Sequence, residues 1–488
     1  MKIESNTSKA IKGMSSQTVV TIILGVVELI SFSIMSRLLT QEDFGYYAAI
    51  TAVTAIFASF SETGIGSAIV QQKNLTQRFL NNAFTLSLLF GIVISSLLFV
   101  LAGPLSRAVA DESMKVPLML ISGTLLINCL ISVNTSIIHR RLEFLRLGSI
   151  RLFALIVTTL VAIFLAYKGY GYYAILTKAI LTSVITYLLS LYYCKTRFRL
   201  ALDKKTFKSI FSFSGWLMAS VVLRNLAHQI DRLMMPRLLS ITSLGAYNRP
   251  KDFIEQISSR VSGIFDSALF PVLSGIQDNR QSLSSAFRRS LYALNMFSLL
   301  LAMAIIFNSD ILIRIFMGEE WLQLRPIMVV CTISIPFNFN GRLADCFLRS
   351  LAMTRQQFYF RLFEITLNIL SVIIGFKWGT LGIALSIAIA NAIAKLLKII
   401  YIGVKVEMMP RQTVARLLSS GRFLVYFLPI IILAFFLPSS WGWDIIIAGV
   451  FILLVGLIFL LMPRLIGKEY QEEVHEKIVY YVKRKIHK

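Results

Sequence analysis

Long apolar runs separated by short polar turns dominate the chain. We read fourteen of them, beginning at 15–39 and 44–70, with the seventh at 213–239, the eighth at 244–272, the tenth at 324–348 and the last two at 423–437 and 443–462. A hydrocarbon core about 30 Å thick takes roughly 20 apolar residues per helix. The pattern therefore predicts an all-α integral membrane protein of about 14 transmembrane helices, with little chain left for any extramembrane domain. Ahead of the first run lies a short basic segment, residues 1–17. The apolar stretch that follows is too long for a signal-peptide core and lacks a cleavage site, so we expect an uncleaved first span.

Composition agrees with this reading. Of 488 residues, 56% are hydrophobic and only 15% charged, against about 25% charged in soluble domains. The formal net charge of +24 would suggest nucleic acid on a soluble chain, but its placement points elsewhere. With the N-terminus inside, the segments on that side hold 32 Lys and Arg, and the opposite loops hold 7 beside acids such as Glu42, Asp43, Glu319 and Glu320. That bias follows the positive-inside rule. It predicts a multi-pass membrane protein with both termini cytoplasmic and no nucleic-acid partner. Cys129, Cys194, Cys331 and Cys346 lie far apart without CxxC spacing, which argues against disulfides and structural zinc.

A repeat appears at an offset of 200 residues: Arg37, Gly45 and Tyr47 are in register with Arg237, Gly245 and Tyr247, and Ser67-Ala68 with Ser267-Ala268. Further on, Asn128 pairs with Asn338 and Arg151-Leu152-Phe153 with Arg361-Leu362-Phe363 at offset 210, and after a two-residue slip Gly171 aligns with Gly379. Spans 1–6 thus repeat as spans 7–12. Six is even, so both copies start on the same side, as in transporters built from parallel lobes. The predicted division is an N-lobe at 1–200, a C-lobe at 201–404, and two further helices with a basic tail at 405–488.

Charges inside membrane spans are costly and should face a cavity or a partner. Span 7 carries Arg224, His228, Asp231 and Arg232 on one face. Span 8 carries Arg249, Asp252, Gln256, Ser259, Gly263 and Asp266 at intervals of three or four, widened by Lys251, Glu255 and Arg260, opposite an oily stripe through Phe253 and Ile257. We take Arg224, His228, Arg232, Arg249, Lys251, Gln256 and Arg260 as candidates to line a substrate cavity. Glu28, Glu62, Asp231, Asp252 and Glu255 are candidates for H⁺ or Na⁺ coupling; no other cofactor or metal is expected. Asn338, Arg342 and Asp345 of span 10 read as a stripe with an internal Arg–Asp pair. Tyr46, Tyr47, Trp216 and Tyr247 are candidates either for stacking on the substrate or for anchoring at the membrane interface.

The segments RLLTQEDFGYY (37–47), SETGIGSAIVQQKNLT (61–76), IIHRRLEFLRLGSI (137–150), LFPVLSGIQDN (269–279) and MGEEWL (317–322), with the run from Asn225 through Asp231 to Tyr247, carry a resemblance. The chain resembles the polysaccharide-transporter branch of the MOP (multidrug/oligosaccharidyl-lipid/polysaccharide) exporter superfamily, close to the colanic-acid and O-antigen (Wzx-type) flippases. The resemblance covers about residues 10–403. It implies two six-helix lobes facing a central cavity, plus helices 13 and 14. It also implies a place in the bacterial inner membrane and translocation of a polyprenyl-pyrophosphate-linked oligosaccharide, an O-antigen, capsule or exopolysaccharide repeat unit, with membrane lipids, a polysaccharide polymerase and chain-length proteins as partners. His228-Gln229 ahead of Asp231 departs from the expected pattern.

Arginine keeps its charge when desolvated and can grip phosphate oxygens with a planar fork, so cationic spans suit that anion. A drug/cation antiporter of the same superfamily is the first alternative and would call for an acid-dominated cavity. An O-antigen ligase or polymerase is the second, but the longest outward loop, 308–323, has only about 16 residues. No GxxxxGK[ST] motif is present, so the energy source would be an ion gradient, another subunit or the substrate gradient.

Overall fold

The computed structural model describes residues 2–421, except 62–64, 73–74, 111, 197, 202, 277–278, 352, 407–408 and 420, together with residue 449. Every regular element among the described residues is helical. In the N-lobe these are α1 (Lys2–Leu38), α2 (Gln41–Ser61), α3 (Ile65–Gln71), α4 (Gln77–Val109), α5 (Lys115–Arg140), α6 (Phe144–Tyr167) and α7 (Tyr172–Cys194). The C-lobe holds α8 (Lys204–Leu238), α9 (Ile241–Gly275), α10 (Arg280–Phe307), α11 (Ser309–Phe316), α12 (Arg325–Ile333), α13 (Ile335–Ser350), α14 (Thr354–Gly375) and α15 (Gly379–Lys405), and α16 (Pro410–Ser419) follows. Spans 13 and 14, the basic tail and Glu62 lie outside the described residues.

Polar caps set several helix starts. The Thr76 hydroxyl accepts from the Phe79 amide at α4, Ser240 from Ser243 at α9 and Asn279 from Ser282 at α10, satisfying donors that the first turn leaves free. Among the described residues nine segments are long and apolar enough to cross a membrane, one of them the 51-residue stretch Arg355–Lys405 that contains both α14 and α15. Helix α9 is long enough yet does not qualify, because it carries the ionic groups singled out above. Span 10, expected to be continuous, is two helices. Pro336 at the start of α13 lacks the amide that would continue α12, and the break falls at Ser334.

The helices of each lobe pack mainly among themselves, and the lobes meet along α2, α8 and α9. The repeat is visible in this geometry. Gly171 and Gly379, aligned in the sequence, both take positive φ (53° and 68°) at the turns that start α7 and α15. A Cβ on Gly45 would strike the Ile241 carbonyl, and one on Gly245 the Gln41 carbonyl. The first turns of α2 and α9 therefore cross backbone to backbone. This seals the bundle at its cation-poor end.

Candidate functional site

The described C-lobe encloses a cavity of about 790 Å³, bounded by residues of α8, α9, α12, α13, α14 and α15. Eight Lys or Arg and five Asp or Glu line it. Of the sequence candidates, Arg224, His228, Asp231, Arg232, Lys251, Asp252, Glu255 and Gln256 all reach this space. Arg249 and Arg260 do not line it.

Most of the cavity charges are already paired. Arg232 meets Asp252 at 2.7 Å and Glu255 at 3.5 Å. Lys251 bonds Asp231, which also accepts from the Tyr247 hydroxyl at 2.8 Å. Tyr247 is thus a buried partner of a carboxylate rather than a stacking platform. The Tyr46 ring faces Tyr172 at 5.0 Å, and the Trp216 side chain lies outside the description. Asn248 donates to the second Asp252 oxygen at 2.6 Å. Glu255 is the loosest of these acids, its side chain 48% exposed toward the cavity. The Gln256 carbonyl oxygen and the Arg232 Nε are buried without a partner among the described residues.

Two expectations for α9 need correction. Arg249 is buried, donating to the Ser36 hydroxyl at 2.9 Å and the Phe32 carbonyl at 2.6 Å, with its guanidinium 3.3 Å over the Phe32 ring. Arg260 pairs with Glu28 across the lobe boundary. Arg249, Phe253 and Arg260 recur at helical spacing and point at α1, while Asp252, Glu255 and Ser259 point into the cavity. The polar face read from the sequence is two faces with different partners. Glu28 is accordingly an inter-lobe ion pair rather than a lone carboxyl.

A third correction concerns spans 10 to 12. Asp345 does not pair with Arg342. It binds Arg361 at 2.6 Å and Lys398 at 3.1 Å, and those two cations also hold Glu364 at 2.5 Å and 2.8 Å. Arg361, one of the 32 cations that the charge count assigns to the inward segments, is buried. Glu364, Lys395 and Lys398 were not singled out from the sequence, although the cost of a charge inside an apolar run was signal enough. Lys395 bonds the Asn338 amide oxygen, and Arg342 is exposed to the cavity. Neither makes an ion pair among the described residues.

The seal beyond the cavity carries a second repeated feature. Arg37 donates to the carbonyls of Arg314 and Ile315 in the C-lobe at 3.2 and 3.0 Å, and its repeat mate Arg237 donates to the Arg107 carbonyl in the N-lobe at 3.4 Å. Trp321 closes over the same region, its indole NH donating to the Ser36 carbonyl at 3.1 Å and its ring meeting Phe44 edge-on.

With the geometry in place, comparison with known proteins decides the family. A profile described as polysaccharide biosynthesis protein matches residues 34–326. The chain belongs to that family. The lipopolysaccharide biosynthesis protein WzxC of Escherichia coli (strain K12) is 21% identical over 393 residues, covering 80% of each chain. Among solved structures, lipid II flippase MurJ in an inward closed conformation superposes with a TM-score of 0.72 at 18% identity, covering 91% of this chain and 98% of that one. An inward-facing MATE multidrug resistance transporter of the MOP superfamily superposes at 0.66 with 12% identity, covering 81% and 98%. This member of the polysaccharide biosynthesis family is therefore a multi-pass membrane protein with the MOP transporter fold.

Proposed function

We propose that this chain is a flippase that carries a polyprenyl-pyrophosphate-linked oligosaccharide from the cytoplasmic to the periplasmic leaflet by alternating access, with its cation-rich end in the cytoplasm. One observation carries the reading: a polar cavity inside an apolar bundle in which cations outnumber acids. After internal pairing, Lys395 and Arg342 remain without a carboxylate among the described residues, and they are the groups to meet a phosphate. The amides of Asn225, Asn338, Gln256 and Asn391 on the same walls suit sugar hydroxyls, which would otherwise cross hydrocarbon unsatisfied. WzxC, by its name, serves lipopolysaccharide biosynthesis, and MurJ is a lipid II flippase; both fit a lipid-linked sugar as cargo. Transport then needs no covalent step. The exported unit would pass to a polysaccharide polymerase and chain-length proteins, and coupling to H⁺ or Na⁺ would act through Glu255, whose ion pairs are the longest. A cation antiporter, which would use an acid-dominated cavity, fits these walls poorly.

The test replaces Lys395 and Arg342 by Ala, singly and together, and scores surface polysaccharide and accumulated lipid-linked precursor at matched membrane abundance. Loss of a desolvated charge contact costs about 2–5 kcal/mol, so substrate affinity should fall roughly thirtyfold or more for a true ligand. Parental export by the double variant would remove both residues from the anion site and, with them, this reading of the cavity.

A further inference from the structure

Arg232, Arg260 and Arg361 each meet a carboxylate. Arg249 is only 7% exposed and meets none within salt-bridge distance among the described residues. Its partners are neutral: the Phe32 carbonyl, the Ser36 hydroxyl, and the rings of Phe32 and Phe44, 3.3 and 4.0 Å from the guanidinium carbon. All of them belong to α1 and α2, in the other lobe. The cation is therefore satisfied only while the lobes touch.

Its position along α9 is equally informative. Gly245, one turn earlier, is in the backbone seal, and Asp252, one turn later, is on the cavity wall. Arg249 stands between them, on the route from the cavity to the cation-poor end. Pro250 follows directly and leaves the Ala246 carbonyl without its usual helical donor, a weak point in the helix at that level. When the seal parts, α1 and α2 withdraw and the guanidinium loses every partner at once. A buried cation stripped of its partners is strongly destabilised, and a planar fork facing an opening gap suits a phosphate.

We propose that Arg249 is an exchange ligand: as the lobes separate, a phosphate of the transported lipid replaces Phe32 and Ser36 at its guanidinium. The anion can take this contact only in the parted arrangement, so its binding biases the seal toward opening through differential affinity for the two states. The identity of the anion rests on the flippase reading; the exchange of partners rests on the contacts of Arg249 alone.

The test uses the full chain in lipid nanodiscs, with Cys129, Cys194, Cys331 and Cys346 replaced by Ala and spin labels on cysteines introduced at Lys168 and Lys377, exposed turns of the two lobes at the sealed end. Farnesyl pyrophosphate is the probe and farnesol the uncharged control. The pyrophosphate should raise the long-distance population in the parent, and farnesol should not. Ser36→Ala, which weakens the closed contact but leaves the arginine, should raise that population without ligand and keep the response. Arg249→Gln should also open without ligand yet need at least tenfold more pyrophosphate, with Arg249→Lys between. A parental response in Arg249→Gln, or an equal response to farnesol, overturns the proposal. Calorimetric binding of farnesyl pyrophosphate with no distance change overturns it while sparing the flippase reading, and absence of binding to the parent defeats both.

Discussion

Two hundred residues before Arg249, Lys251, Asp252 and Glu255 of α9 stand Ala49, Thr51, Ala52 and Ala55 of α2. The same offset sets Ser31 and Phe32 against Asp231 and Arg232. The contrast continues in later spans, where Thr135, Ala154 and Ser190 correspond to Asp345, Glu364 and Lys398. In the N-lobe these positions are small, apolar or hydroxyl-bearing, and the hydroxyls make hydrogen bonds, such as Asn134 donating to Ser190 at 3.1 Å and Thr135 to the Ile131 carbonyl at 2.8 Å. In the C-lobe all of them but Arg249 make ion pairs around a cavity. Arg37/Arg237, Gly45/Gly245 and Tyr47/Tyr247 remain identical between the copies, and the arginines and glycines of this set face the other lobe. Closure is thus a shared, two-sided property of the repeat, whereas the ion-paired cavity wall is a property of one copy.

The comparison breaks most sharply at the glycines. If closure is two-sided, Gly45→Val and Gly245→Val should be equally damaging, because each side chain would enter the other lobe's backbone. Export should fall at least tenfold in both at normal membrane abundance, with no effect of Gly123→Val, where an added Cβ meets nothing within 4 Å. Surface polysaccharide assays on the three variants decide it. Normal export by either seal variant would show that this contact is dispensable.

A second, smaller effect separates the lobe interiors. Lys398 is 1% exposed and binds Asp345 and Glu364. Removing one partner of a buried ionic group typically costs about 3–5 kcal/mol, so Lys398→Ala should lower the unfolding midpoint in mild detergent markedly. Ser190→Ala, at the corresponding N-lobe position, loses two neutral hydrogen bonds, one accepted from Asn134 and one donated to the Tyr187 carbonyl, each worth about 1 kcal/mol, and should shift it less. Equal shifts would mean that the C-lobe charges hold the cavity's shape no more than hydroxyls would.

Helices were legible because one property, apolar length, fixes them in a bilayer; the charge bias and the repeat needed only the sequence. The faces were not. Arg249, Phe253 and Arg260 differ from Asp252 and Glu255 by a modest rotation around α9, and which neighbour each meets depends on how α1 packs, a long-range fact that helical periodicity does not contain. Arg361 was misplaced because a charge near a span end reads as a loop cation until Asp345 and Lys398 are seen around it. Gly45 and Gly245 were visible as matched residues, but their role required the crossing of two backbones that lie 200 residues apart.

The smallest effect concerns the arginine clasps at the seal. Arg37 reaches two carbonyls and Arg237 reaches one at longer distance, and both side chains are exposed, so water competes for each contact. Net values of about 0.5–1.5 kcal/mol per hydrogen bond therefore apply at their lower end. Arg37→Gln should raise the ratio of parted to sealed molecules by roughly fivefold and Arg237→Gln by about twofold, since 1.4 kcal/mol corresponds to a factor of ten. Because the clasps touch different elements, α11 and α4, with no shared partner, their free energies should add to within about 0.5 kcal/mol, giving roughly tenfold in the double variant. Spin-label distances between residues 168 and 377 report that ratio directly. A double variant no more open than Arg37→Gln alone would mean that the Arg237 contact does not oppose opening, and the seal would then be two-sided in its glycines but one-sided in its clasps.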